Sequence, residues 1–275
     1  MPPQAESLLK QTESKKRIYF QLLIRIVILL SIAGFWNIYF GVNSNPRLHH
    51  HLHVISIFIW LFLLLYQLSL IGTKKQILHR KIGLSILFFG PLLFATTALL
   101  AVHSAHKGMV SGQGDIMIVQ NVMGTLELGF IILMAFILKK RRKLHGAFLL
   151  STSILFIGIA LFFSLMNFVP QFKIEGPETF YRFEAAGAVG NYACLFIGLL
   201  FFLKDRRSGW VLLLVGSFFT LNSYLTTLLI KYNLIQPLTE FVGSFNKLIT
   251  FLGSFIVLSI LLTFMVIPNK RHAAN

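Results

Sequence analysis

The chain has 275 residues, of which 56% are hydrophobic, 14% aromatic and only 12% charged, with a formal net charge of +16. A soluble domain carries about a quarter charged residues because its surface faces water, so this composition excludes a soluble globule. The excess of Lys and Arg does not point to nucleic acid, because it falls in short clusters between apolar blocks, the asymmetry that orients membrane proteins.

Residues Met1 to Gln11 are polar, Lys15, Lys16 and Arg17 follow, and an apolar run then continues to Gly41. That run is too long for a secretory h-region and lacks a small-x-small cleavage signal, so it reads as an uncleaved first span. Crossing the hydrocarbon takes roughly 20 apolar residues in a helix. Eight stretches qualify: 18–41, 52–71, 82–102, 116–138, 147–168, 187–203, 210–230 and 248–267. The sixth is the shortest, and it suffices if Lys204 and the residues before Gly187 sit at headgroup depth. The expected fold is all-α: one polytopic transmembrane domain over 1–275, with spans two to five as a four-helix core.

With the N-terminus inside, Lys10, Lys15, Lys16, Arg17, Arg25, Lys74, Lys75, Arg80, Lys81, Lys139, Lys140, Arg141, Arg142, Lys143, Lys204, Arg206, Arg207, Lys270 and Arg271 are all inner, against six outer basic residues. The bias holds at every loop, which predicts a cell-membrane protein with both termini in the cytoplasm. Outer loops are expected at 104–115, rich in Gly, and at 169–186, where Phe172, Phe180, Tyr181 and Phe183 read as a short interfacial segment. The single cysteine, Cys194, lies in an apolar block and reads as a packing residue, which rules out an intramolecular disulfide.

Span three is entered through Leu78-His79-Arg80 and span five through Leu144-His145-Gly146, each just after a basic turn. A polar residue precedes each turn, Gln67 in span two and Glu127 in span four. Spans two to five therefore read as two helical hairpins of one design, and 49–168 is the expected functional core.

Glu127 lies near the middle of span four, where an ionised carboxylate costs at least ~2.5 kcal/mol. Gln120, Gly124 and Glu127 recur at helical spacing and give one polar face. Glu127, with Gln67 and Gln120, is thus a candidate proton or cation site; the plainer alternative is a protonated Glu bonded to Gln67 or Asn222.

Six of the nine histidines are outer: His49, His50, His51, His53, His103 and His106. Antiparallel spans two and three would bring their outer ends to one depth, and neutral imidazoles so grouped suit Zn or Cu. The candidate metal ligands are His49, His51, His53, His103 and His106. The alternative is that these histidines simply occupy the headgroup interface. On the inner side, His79 and His145 open corresponding helices, and a haem b held between them would have Arg80, Lys81, Arg142 and Lys143 for its propionates. A second haem on span three is disfavoured, because His79 and His103 are 24 residues apart in the sequence, about 36 Å if the helix is continuous.

Gly90-Pro91 should kink span three. Gly190, Cys194 and Gly198 place small residues every fourth position, which favours close helix approach. No nucleophile–base–acid set is recognisable, and Ser104 beside His103 and His106 reads as a loop serine.

The arrangement of His53, Gln67, Leu78-His79-Arg80 with Gly83, Asp115, Glu127 and Leu144-His145 resembles a bacterial family of predicted membrane proteins of unknown function. The resemblance covers 52–163. More distantly it is similar to oxidase-assembly membrane proteins and haem-b membrane cytochromes. It departs from the family pattern after His145, where Gly146-Ala147-Phe148 follow. A role in respiratory redox or oxidase assembly is what this distant similarity implies, with the lipid bilayer and respiratory-chain or other membrane proteins as expected partners. Three readings stand open: a haem- or metal-binding protein, a proton-coupled transporter using Glu127, and a non-catalytic scaffold or sensor.

Overall fold

The computed structural model describes residues 3–112 and 114–266, with side chains from residue 14 onward. Lys270, Arg271 and His272, and the last residue of the eighth expected span, lie outside the described residues, as does the side chain of Lys10. The helices are α1 (Pro3–Gly34), α2 (Leu48–Gly72), α3 (Gln76–Gly83), α4 (Ile86–Ser111), α5 (Ile118–Ile137), α6 (Arg142–Phe168), α7 (Tyr181–Lys204), α8 (Arg206–Lys231), α9 (Ile235–Gly243) and α10 (Lys247–Val266), with no strand among the described residues. Eight of them, all but α3 and α9, are long and apolar enough to cross a membrane. The chain is an all-α polytopic membrane protein.

Four element boundaries differ from the sequence expectation. The first span ends at Gly34, and Trp36–Phe40 form a single turn of π-helix. Helix α2 starts at Leu48, four residues early, so His49, His50 and His51 are helical. Span three is split: α3 is a separate short helix, and α4 runs on to Ser111 through most of the expected loop. His79 and His103 are therefore not on one helix, and the 36 Å between them along a single axis does not apply. The fourth difference lies at 169–186, which holds two 3₁₀ turns, Pro170–Phe172 and Pro177–Thr179, with α7 already under way at Tyr181.

The reasons are local. Helix α4 ends on Gly112, whose φ of 70° is the left-handed conformation that closes a helix. Gly114, at φ 75°, then returns the chain, and its N–H donates to the Gly108 carbonyl at 3.2 Å. Asp115 braces the turn leading into α5 by accepting from the Met117 N–H (2.9 Å) and Asn121 Nδ2 (3.2 Å).

Helix α6 occupies the centre and packs against α1, α2, α5, α7 and α8. Trp60 of α2 is fully buried and donates Nε1 to Thr152 Oγ1 of α6 at 2.9 Å. The main apolar cluster draws on α1, α2, α4, α5, α6, α7, α8 and α10 together, for example Ile24, Leu93, Ile154, Val215 and Leu262.

The expected small-residue seam is a real close approach. A β-carbon on Gly198 would stand 2.6 Å from the Leu212 carbonyl oxygen, and one on Gly216 would stand 2.5 Å from that of Cys194. At the basic end, Lys16 Nζ of α1 donates to Asp205 Oδ2 at 2.6 Å and to Ser208 Oγ at 3.0 Å. Lys139 there donates to the Met265 carbonyl at the C-terminus of α10, where a cation suits the helix dipole.

Candidate metal centre

The end of the bundle opposite the basic turns carries the outer histidines. Helices α2 and α4 pack against one another, which brings the first turn of one beside the last turns of the other. His49, His50 and His103 form a group whose ligand nitrogens all lie within 4.8 Å of one another. The His49 and His103 ring centroids are 4.0 Å apart, and those of His49 and His50 are 4.2 Å apart. Zn–N bonds of ~2.0–2.1 Å put tetrahedral ligand atoms about 3.4 Å apart, so a closure of at most about 1.4 Å would bring this group to coordination distance.

Two ring nitrogens of the group, His49 Nε2 and His103 Nδ1, are buried with no hydrogen-bond partner among the described residues. An unsatisfied buried polar atom costs about 1–3 kcal/mol, so the arrangement is stabilised by anything that engages them. His50 differs, because its Nδ1 accepts the Arg47 backbone N–H at 2.9 Å and so caps α2. Ligation by His50 trades that bond for the metal.

The other outer histidines are held elsewhere. His51 Nδ1 meets the Tyr39 hydroxyl at 2.9 Å and ties the π-turn to α2. His53 Nδ1 meets Thr96 Oγ1 at 3.3 Å, and Ser56 Oγ meets the same hydroxyl at 2.9 Å, bracing α2 on α4 below the triad. His106 Nδ1 faces the Gly243 carbonyl at 3.3 Å. Of the five ligands expected from sequence, the group therefore contains His49 and His103 and leaves out His51, His53 and His106, while His50 joins it. The early start of α2 is the cause: four more helical residues put His49 and His50 on the turn facing α4.

The charges around the triad are all positive. Lys247 and Arg47 act on His49, Lys107 and Arg47 on His50, and Lys247 and Lys107 on His103. Lys247 arrives there because the end of α9 lies against α4, where a β-carbon on Gly243 would stand 3.0 Å from the Ala105 backbone.

Behind the triad lies a cavity of about 330 Å³ between α1, α2, α4, α5 and α6. His50, His53, His103, Ser104 and Lys107 line its mouth, and Phe35, Phe58, Leu128, Phe156 and Phe163 line its depth. Gln120 and Gly124 of α5 line its side.

Glu127 is buried one helical turn beyond Gly124 and lies beside Asn222 of α8. Asn222 Nδ2 also donates to Gln120 Oε1 at 3.4 Å. Glu127 Oε2 and Gln120 Nε2 have no partner among the described residues. Gln67 is not with Glu127. Its amide nitrogen faces His79 Nδ1 and the His79 carbonyl (3.2 Å), and its oxygen accepts the Gly83 N–H at 3.0 Å.

That contact decides the tautomer of His79: an Nδ1 that accepts leaves the proton of a neutral imidazole on Nε2. His145, whose Nδ1 lies 2.8 Å from the Ala135 carbonyl, holds the opposite tautomer with Nε2 free. Burial, followed by the neighbouring His145 and Arg80, holds the His79 imidazole below the ordinary histidine range. Arg80, Lys81, Arg142 and Lys143 are exposed around this pair. An axial haem bond through His79 Nε2 therefore first requires the Gln67 amide to turn over.

No family model, curated protein or solved structure matches the chain.

Proposed function

We propose that this multi-pass membrane protein binds a transition-metal ion of the zinc or copper class through His49, His50 and His103. The observation that carries the reading is the group itself: three imidazoles from two helices within coordination reach, two of them with buried, unengaged nitrogens. Neutral imidazole suits both metals. Three protein ligands leave a position open, the pattern of sites that do chemistry or hand metal on rather than sites that only hold a fold. The resemblance of 52–163 to a bacterial family of predicted membrane proteins of unknown function, itself distantly similar to oxidase-assembly membrane proteins, is compatible with respiratory metal handling in the cell membrane. The inner His79–His145 pair is the weaker candidate, because neither ring presents a buried, unengaged nitrogen among the described residues and Gln67 holds His79 Nδ1.

The test is elemental analysis and a zinc titration of the detergent-purified protein. About one ion per chain is expected. His103→Ala should weaken binding by more than ~100-fold, beyond what the loss of a mere supporting hydrogen bond costs, and His51→Ala should leave it within a few-fold. A protein that purifies metal-free and takes up neither zinc nor copper overturns the reading.

A further inference from the structure

The metal reading leaves a charge problem that the cavity answers. Three neutral imidazoles would hold a divalent ion without any carboxylate in the group, and every charge that acts on the triad, from Arg47, Lys107 and Lys247, is a cation. A water can complete such a site, but an anionic fourth ligand would also neutralise charge there. The side from which that ligand can come is fixed by the two residues, His50 and His103, that belong both to the triad and to the cavity wall.

The cavity has the polarity of an amphiphile. Lys107 is the only charged side chain among the described residues that line it, and it stands at the mouth. Gln120 Nε2, also on the wall, is a buried donor with no partner among the described residues. Both offer hydrogens and neither accepts, which is what an oxyanion requires. Below them the walls are aromatic and aliphatic. Along α4 the lining runs from Lys107 to Thr97, roughly 15 Å of helix, and the volume of about 330 Å³ falls at the lower end of the ~300–1,000 Å³ range of small-molecule sites. Spread over that length, the volume leaves a cross-section of only about 22 Å², which suits one extended chain better than a flat ring.

We propose that this cavity takes an anionic single-chain amphiphile, whose carboxylate or phosphate completes the coordination of the metal and whose chain lies among Phe35, Phe58, Leu128, Phe156 and Phe163. The inference rests on the metal site described above and names the ligand class of that same site. A fatty-acid carboxylate and a lysophospholipid-type phosphate share this chemistry, and the experiment separates them.

The full chain, in nanodiscs of phosphatidylcholine, is titrated with dodecanoate, dodecyl phosphate and neutral dodecanol, each with zinc loaded and with zinc stripped by a chelator. The zinc-loaded protein should bind at least one of the two anionic probes ten-fold or more tighter than the stripped protein, and dodecanol without a zinc dependence. The preferred anion identifies the source. Lys107→Gln should weaken anion binding by about ten-fold. Gly124→Leu should abolish it while zinc stoichiometry stays at the wild-type value. The added leucine projects into the cavity, since a β-carbon there meets only Gln120 Nε2, at 3.6 Å. Stoichiometric zinc without a zinc-dependent gain for either anion, or equal binding by Gly124→Leu, overturns this inference and leaves the metal site standing. Absence of bound zinc overturns both.

Discussion

Among the residues of the two histidine clusters, Gln67 has the most legible consequence. Its amide joins His79 to the Gly83 N–H, so three residues of the sequence pattern that spans α2 and α3 form one hydrogen-bonded unit. The native imidazole, held below the ordinary histidine value of 6.5 by burial first and by His145 and Arg80 next, refuses a proton that the unfolded chain accepts. Stability contributed by neutral His79 is therefore complete above about pH 6.5 and declines as pH falls toward the native value. Nitrogen-15 NMR of the imidazoles should find His79 as the Nε2–H tautomer, titrating at a lower pH than an exposed histidine. Gln67→Leu should erase the tautomer preference while the helices persist. The chemistry-bearing residue types were readable in the sequence, but their partners were not. Glu127 illustrates this: Asn222, one of two bonding partners open to it from the sequence, lies at its side, and Gln67 is a helix end away.

At the level of helices, hydropathy located eight spans and misplaced their ends. Apolar counting stops where side chains become polar, yet α2 begins four residues before its apolar stretch and α4 continues nine beyond, because backbone hydrogen bonding and caps, not hydropathy, terminate a helix. Those extra turns carry His49, His50 and His103, so the grouping of these three follows from helix ends that hydropathy did not locate. The small-residue series was more informative, because small side chains have a single structural use at a helix contact. Gly198 lies on the Leu212 carbonyl and Gly216 on that of Cys194, backbone against backbone, where no flexible side chain can give way. Gly216→Ala should therefore force α7 and α8 apart and cost about 1–3 kcal/mol, read as a lowered thermal midpoint in detergent. Gly253→Ala, in open space on α10, should be neutral or slightly stabilising.

Across the whole molecule, the two ends of the bundle are built differently. The basic end is tied by Lys16 to Asp205 and Ser208, by Lys139 to the terminus of α10, and by Gln67 to α3. Burial raises the Asp205 carboxyl, but the Lys16 and Ser208 hydrogen bonds and the Arg207 backbone N–H outweigh it and leave it well below the usual carboxylate range. A depressed native value makes this contribution full above the ordinary pKa of 3.8 and lost as pH falls below it. Thermal melts should accordingly show an acid decline below about pH 4 in the wild type that is blunted in Asp205→Asn, whose stability is lower at neutral pH. The topology behind this tie was visible from the charge pattern alone, because alternating spans send every basic turn to one end. The partner within it was not, because Asp205 looks like one more charge in a basic loop.

At the opposite end, the brace formed by Ser56, Thr96 and His53 acts mechanically as a fulcrum. Thr96 stands seven residues below His103, a lever arm of about 10 Å. Moving His49 and His50 toward His103 by up to about 1.4 Å would take a rotation of α2 about this pivot of only about 8°. The ties at the far end can stay in place through so small a rotation, so gripping an ion would not require the bundle to change its shape.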